Sequence, residues 1–263
     1  MGEKCFRKVQ YGLESASAHG TAVAATKMLL AETKVPTDRK VSMPEEAIGL
    51  RAKSYRSAVY QILADSFPIT VPHGYFQALP LLCSLFFKGA VTASEVTVGQ
   101  GDYLWTFTPS LTAANSPDSI TLELGDDVEQ YEIEYVMAKR LLVAAQMGQD
   151  APVTLEAECF GKQVTPTDFT ASLSLPAPTP MIANQTRFYM DATWAGKGGT
   201  LKSGLLRETS VEFLNGLHPK FHGNSKMMTG HGEGLFDLRA NFVFEGNSDA
   251  DGIYDAFQAQ TEK

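Results

Sequence analysis

Two alternating runs joined by a turn constrain this 263-residue chain more than anything else in it. Ser119-Ile-Thr-Leu-Glu-Leu124 and Gln130-Tyr-Glu-Ile-Glu-Tyr135 switch between polar and apolar side chains at nearly every step, which is the period of a half-buried strand. Gly125-Asp126-Asp127 lies between them as turn chemistry. The pattern predicts a β-hairpin with Ile120, Leu122, Leu124, Tyr131, Ile133 and Tyr135 on one face. Thr121, Glu123, Gln130, Glu132 and Glu134 fall on the other.

Charge is unevenly spread around this hairpin. Between Gly89 and Ala138 there is no Lys and no Arg, while nine acids occur: Glu95, Asp102, Asp118, Glu123, Asp126, Asp127, Glu129, Glu132 and Glu134. The whole chain has a formal charge of −8, so this one stretch accounts for it. A solvated β face is the plain explanation of such a strand. A fifty-residue run without a base is less easily explained in that way. The acidic balance argues against ordinary nucleic-acid binding, which needs basic patches to neutralise phosphates.

The neighbouring stretches read as further strands and a helix. Ser66–Val71 is apolar and β-branched, a strand signal. In Gly74–Gly89, Tyr75, Leu79, Leu82 and Phe86 recur at three- and four-residue steps, the spacing of one helical face. Gly89 occupies a C-cap position. Pro80 marks a kink or the first residue of the main helix, because an interior proline loses a hydrogen bond. Asp102–Thr108 and Val153–Phe160 read as strands, the second closed by Gly161. Residues 9–25 read as a loop of small residues leading to a short strand at Thr26–Leu30. Residues 31–57 form a long polar, basic loop, a length that in a compact domain is functional or disordered.

A boundary is expected at 165/166. Beyond it Phe169–Leu175 alternates, and Pro176, Pro178 and Pro180 make a stiff connector. Asn184–Trp194, Ser210–Leu214 and Leu235–Phe244 read as strands. Asn247–Gln260 reads as a short helix opened by capping residues. Strand then helix thus occurs twice, at Ser66–Phe87 and Leu235–Gln260, which suggests that residues 166–263 are a second β-rich half and a partial duplicate of residues 1–165.

Little here points to catalysis, and the chain reads as a non-enzyme without cofactor or metal. Asn247, Asp249, Asp251 and Gly252 open like a calcium loop, but Gln258 stands where the bidentate carboxylate belongs. His218 and His222 are separated by Pro219 from any helical pairing. Gly196–Gly199 and Gly230–Gly234 lack the Lys-Ser/Thr of a phosphate loop. Cys5, Cys83 and Cys159 are few and far apart, as reduced thiols are. The charged start Met1–Lys8 does not read as a secretory signal, and no apolar run is long enough to span a membrane.

The order strand, short helix, strand, acidic hairpin, strand, with a long polar loop before it, resembles the tail tube (major tail) proteins of long-tailed, siphovirus-like bacteriophages. Gly20–Thr26, Ala78–Leu82 ending in Lys88-Gly89, Trp105–Ser110 and Pro117–Glu123 carry the resemblance. It covers most of residues 9–162 and echoes from 184 to 260. It implies a mainly β fold of sandwich or barrel modules with a flanking α-helix, closing into a ring with a continuous inner β-barrel. One departure is that the chain stops soon after its last helix, where a two-module relative would have further strands.

The resemblance implies a structural subunit of a tail tube, with stacked rings forming the conduit for DNA ejection. The alternatives are another virion tail component of related fold, a terminator or hub, and a monomeric β-barrel that binds a ligand. Implied partners are copies of itself, the tape measure protein, the tail terminator, baseplate proteins and transiently passing DNA, with no membrane. The ring is expected to hold six modules, as three two-module chains in preference to six chains. Assembly in the host cytoplasm and residence in the virion tail follow. Glu123, Gln130, Glu132 and Glu134 are the expected lumen-facing residues. The basic excursion, Lys34, Arg39, Lys40, Arg51, Lys53 and Arg56, is expected to contact the next ring, with Asp126 and Asp127 as partners.

Overall fold

The computed structural model describes residues 7–43, 49, 51, 58–148, 152–191 and 193–259. The first half contains β1 (Lys8–Leu13), β2 (Lys27–Met28), β3 (Glu32–Thr33), β4 (Arg39–Ser42), β5 (Ala58–Ile62), β6 (Ala64–Val71), α1 (Ala78–Phe86), β7 (Ser94–Glu95), β8 (Tyr103–Leu104) and β9 (Ile120–Gly125). Then come β10 (Gln130–Gln146), β11 (Thr154–Gly161), β12 (Val164–Pro166), β13 (Leu206–Leu214), β14 (His218–Lys220), β15 (Gly230–Gly232), β16 (Asp237–Phe244) and α2 (Ser248–Gln258). The fold is mainly β and antiparallel, with two helices.

β10 is 17 residues long, far longer than the six its alternation predicts. β9 and then β13 pair along one of its sides, β12 and then β11 along the other. Its first half therefore belongs to a sheet ordered β2-β1-β9-β10, and its second half to one ordered β10-β11-β6-β3. Residues from both parts meet in one core: Ile120, Leu122 and Leu124 of β9, Ile133 and Val136 of β10, Leu155 and Ala157 of β11, and Phe67 and Ile69 of β6. Burying one such Leu, Ile or Phe contributes about 1.5–3 kcal/mol.

The corner lies at a β-bulge between Ile133 and Val136, where Tyr135 has φ +57°. The extra residue changes the alternation. Ile133 and Val136 enter the main core. Tyr135, expected beside them, instead joins Met137, Phe160, Leu63, Leu217 and Met228 in a second cluster. Further bulges follow at Ala138/Arg140 of β10 and Cys159/Gly161 of β11, and bulges increase local twist.

α1 packs against β10 and buries Ala78, Leu81, Leu82, Leu85 and Phe86. Pro80 lies in its first turn, where its missing N–H would be unpaired anyway. Gly89 is not the cap: the helix ends at Phe87, and a side chain on Gly89 would overlap the Asp118 carboxylate. The buried Asn215 donates to the carbonyls of Phe86 (2.7 Å) and Ala138 (3.0 Å), tying the helix end to β10.

Other expectations are corrected. Residues 9–13 are a strand, not a loop; Gly12 fits there because a Cβ would meet the Ala24 carbonyl at 2.5 Å. The described part of the long polar loop contains β3 and β4, and β4 pairs with β5 just beyond the loop to form a hairpin arm. Asp102–Thr108 shrinks to the two residues of β8, Phe169–Leu175 is not a strand, and the described residues of Asn184–Trp194 hold the ends of two 3₁₀ turns and one isolated bridge, Tyr189 to Leu201. The expected boundary at 165/166 falls inside β12, and β13 and β16 extend the sheet from β10. No helix among the described residues is long and apolar enough to cross a membrane.

Gly161 offers a test of the corner. A Cβ there would meet Ile133 Cγ2 at 2.5 Å and the Glu134 carbonyl at 3.1 Å. Gly161→Ala should lower the unfolding free energy by about 1–3 kcal/mol, the usual cost of overpacking, seen as a lower urea midpoint.

Candidate assembly surfaces

The acidic hairpin is not the open face that its alternation suggests. Glu123 and Glu134 are only 4% and 8% exposed. Glu123 accepts four hydrogen bonds: from Gln10 Nε2 (3.0 Å), the backbone N–H groups of Ala25 (3.1 Å) and Thr170 (2.8 Å), and Thr170 Oγ1 (2.6 Å). Glu134 accepts from Gln163 Nε2 (3.1 Å) and forms an ion pair with Lys162 (2.9 Å). The loop after β1 and the segment after β12 are thereby fastened over the polar face. A buried carboxylate is tolerable only when satisfied in this way.

Glu14 is a third such carboxylate that the pattern did not reveal. It is 6% exposed. It accepts from Gly20 N (2.7 Å), Ser119 Oγ (2.6 Å), Thr121 Oγ1 (3.0 Å) and Tyr135 N (2.8 Å). The last bond holds the bulged residue itself. The sequence carries a signal for it: Glu14 directly follows the alternation Val9, Tyr11, Leu13, although small residues surround it. Beside it, His19 stacks on Tyr135 (5.4 Å) and donates to or accepts from Ser119 Oγ at 2.6 Å. Tyr135 Oη meets His231 Nδ1 at 3.0 Å.

Of the four expected lumen residues, Gln130 and Glu132 alone keep substantial exposure. Gln130 Oε1 accepts from Phe169 N. The Glu132 carboxylate has no hydrogen-bond partner among the described residues. Desolvation, with the nearby charges of Glu134 and Glu123, pushes its carboxyl above the ordinary 4.5. Glu123 and Glu134 are used up inside the subunit.

The basic arm stands clear of the core. Lys34, Arg39, Lys40 and Arg51 are exposed, while Lys53 and Arg56 lie outside the described residues. Val41 (52%), Met43 (58%) and Tyr60 (64%) are exposed beside them. The base of the arm is fixed: Leu63 N donates to the Asp38 carbonyl (2.7 Å) and Val164 N to the Asp38 carboxylate (2.9 Å). The Asp126 carboxylate accepts from Val128 and Glu129 in its own turn, whereas Asp127 is exposed.

Two surfaces escaped the sequence reading. Among the described residues β16 pairs with β13 along one side only, and Leu238 (60%), Phe242 (41%) and Val243 (41%) are exposed on it. α2 buries no side chain, and Tyr254 (60%) and Phe257 (77%) are exposed. Their apolar residues were visible in the sequence. Their lack of cover was not, because periodicity locates a face without saying what lies on it. Asn247 does cap α2, accepting from Asp249 N and Ala250 N at 3.0 Å. Among the described residues, Cys83 and Cys159 are free thiols, and burial pushes the Cys83 thiol up to about 12. No cluster that could hold a metal occurs among the described residues.

The raised Glu132 value has a signed consequence. The folded chain holds this proton more tightly than the unfolded one, so the associated stability is full below 4.5 and is lost as pH rises through the folded value. Glu132→Gln should therefore be more stable than the parent at pH 7 and equal to it near pH 4, as read from urea midpoints at the two pH values. Compared with known proteins, the sequence matches no protein-family model and no curated protein.

Proposed function

We propose that this chain is a structural subunit of a phage tail tube, polymerising as stacked rings around a lumen through which DNA passes. The observation that carries the reading is the exposed apolar surface at the end of the sheet: β16, which has one strand partner among the described residues, followed along the chain by an α2 with no buried side chain. An exposed, apolar strand edge is a template for pairing with another chain, and contiguous exposed apolar surface marks an interaction site. The resemblance in element order supplies the kind of assembly, six modules to a ring.

Glu132 is the acid best placed to face the lumen, with Gln130 beside it. Its charge costs the isolated fold stability, and such a cost is typical of a position kept for function. An acidic wall repels phosphate, so DNA slides without binding. The β4–β5 arm serves the contacts between rings, which must be heterologous because rings repeat along an axis. Tape measure, terminator and baseplate proteins are the partners that such a tube requires, and the protein is not an enzyme in this reading.

Electron microscopy of the purified protein tests this. Long hollow tubes or stacked rings support it; single rings that never lengthen favour a terminator or hub, and monodisperse particles refute self-assembly. Replacing residues 41–60 by a two-residue turn leaves Asp38 and its two contacts in place. That variant should keep the parent's unfolding free energy, from urea titration, within about 1 kcal/mol, as surface changes usually do, and should no longer form tubes.

A further inference from the structure

We propose that the exposed face of α2 is the seat for the β4–β5 arm of a second copy of this chain. This rests on the self-assembly reading above and names the two surfaces that would meet.

On α2, Asp251, Tyr254, Asp255 and Gln258 are all exposed. They stand at steps of three, four and seven residues, so they share one face of the helix. Phe257 lies beside Tyr254 one turn on. Asp249 is held by Lys202 at 2.7 Å. Asp251 and Asp255 have no ion-pair partner among the described residues. The result is a strip with two uncommitted carboxylates around an aromatic ring.

The arm is its complement. Arg39 and Lys40 are exposed and have no ion-pair partner among the described residues, and Val41 and Tyr60 supply apolar surface next to them. A lone two-stranded ribbon is marginal in water, so the arm gains most from being covered. A cation over Tyr254 would add a favourable ring contact, and carboxylates beside an apolar ring match cations beside Val41. No hydrogen bond or ion pair among the described residues joins the arm to α2 within one chain, which leaves the seat to a second copy. Each copy would then give one arm and receive one, a head-to-tail contact that propagates.

Charge reversal in the full chain tests this. Arg39→Glu with Lys40→Glu, and separately Asp251→Lys with Asp255→Lys, should each raise the concentration for half-assembly by about tenfold, as several partly desolvated pairs lost together would. Carrying all four substitutions in one chain should restore assembly. Circular dichroism and urea midpoints check that each variant is folded. If the parent assembles and the reversed variants assemble equally well, or the fourfold variant is no better than either pair, α2 is not the seat while the tube reading stands. A parent that stays monomeric at every concentration and salt overturns both.

Discussion

Everything in this fold depends on one strand having neighbours on both sides along most of its length. β10 is flanked by β9 and β13 on one side and by β11 and β12 on the other. A straight 17-residue strand would carry these pairs as one flat sheet. The bulge at Tyr135 prevents that, and the two parts share a single core closed by α1. Cross-strand charge reinforces the far half: Arg140 reaches Glu156 of β11 and Glu212 of β13. Such partly exposed pairs contribute about 0–1 kcal/mol each, so packing and backbone pairing, not charge, hold β10 in place.

The acids of the hairpin therefore have two destinations. Glu123 and Glu134, with Glu14, are internal fastenings whose hydrogen bonds offset the cost of desolvating a carboxylate. Removing any one would leave buried N–H or hydroxyl donors unpaired, which costs about 1–3 kcal/mol for each group. Glu132, one step along the same strand, has no such partners and keeps its charge near solvent. Identical residue types with the same alternation thus act as structural pins at some positions and as surface charge at another.

Much of the central fold was legible in the sequence. The hairpin, β6, β11 and α1 follow from period and turn chemistry, because these elements bury one face against the core. The reading ended where tertiary contact overrides local pattern. Nothing in Gln130–Tyr135 announces that the strand continues to Gln146, since β13 and β11 supply the pairing from more than ten residues away. β1 was hidden by Gly12, whose role is a close approach of the Ala24 backbone. The run Phe169–Leu175 alternates correctly but has no strand beside it; Thr170 is instead spent on Glu123. At the surfaces, the sequence marked the arm by its charge. The open β16 edge and the bare α2 needed the structure, since exposure is a property of what fails to pack.

The hydrogen-bond shell of Glu14 sets an order of events during synthesis. Its partners Ser119, Thr121 and Tyr135 lie 105, 107 and 121 residues downstream. A nascent chain cannot close that shell until Tyr135 has emerged, and contacts so distant in sequence form slowly. β13, the partner on which β16 depends, is made later still, and β16 and α2 follow it. The open edge of β16 is thus made after the core that it extends, so a ribosome-bound fragment can complete the Glu14 shell before it has that edge to offer.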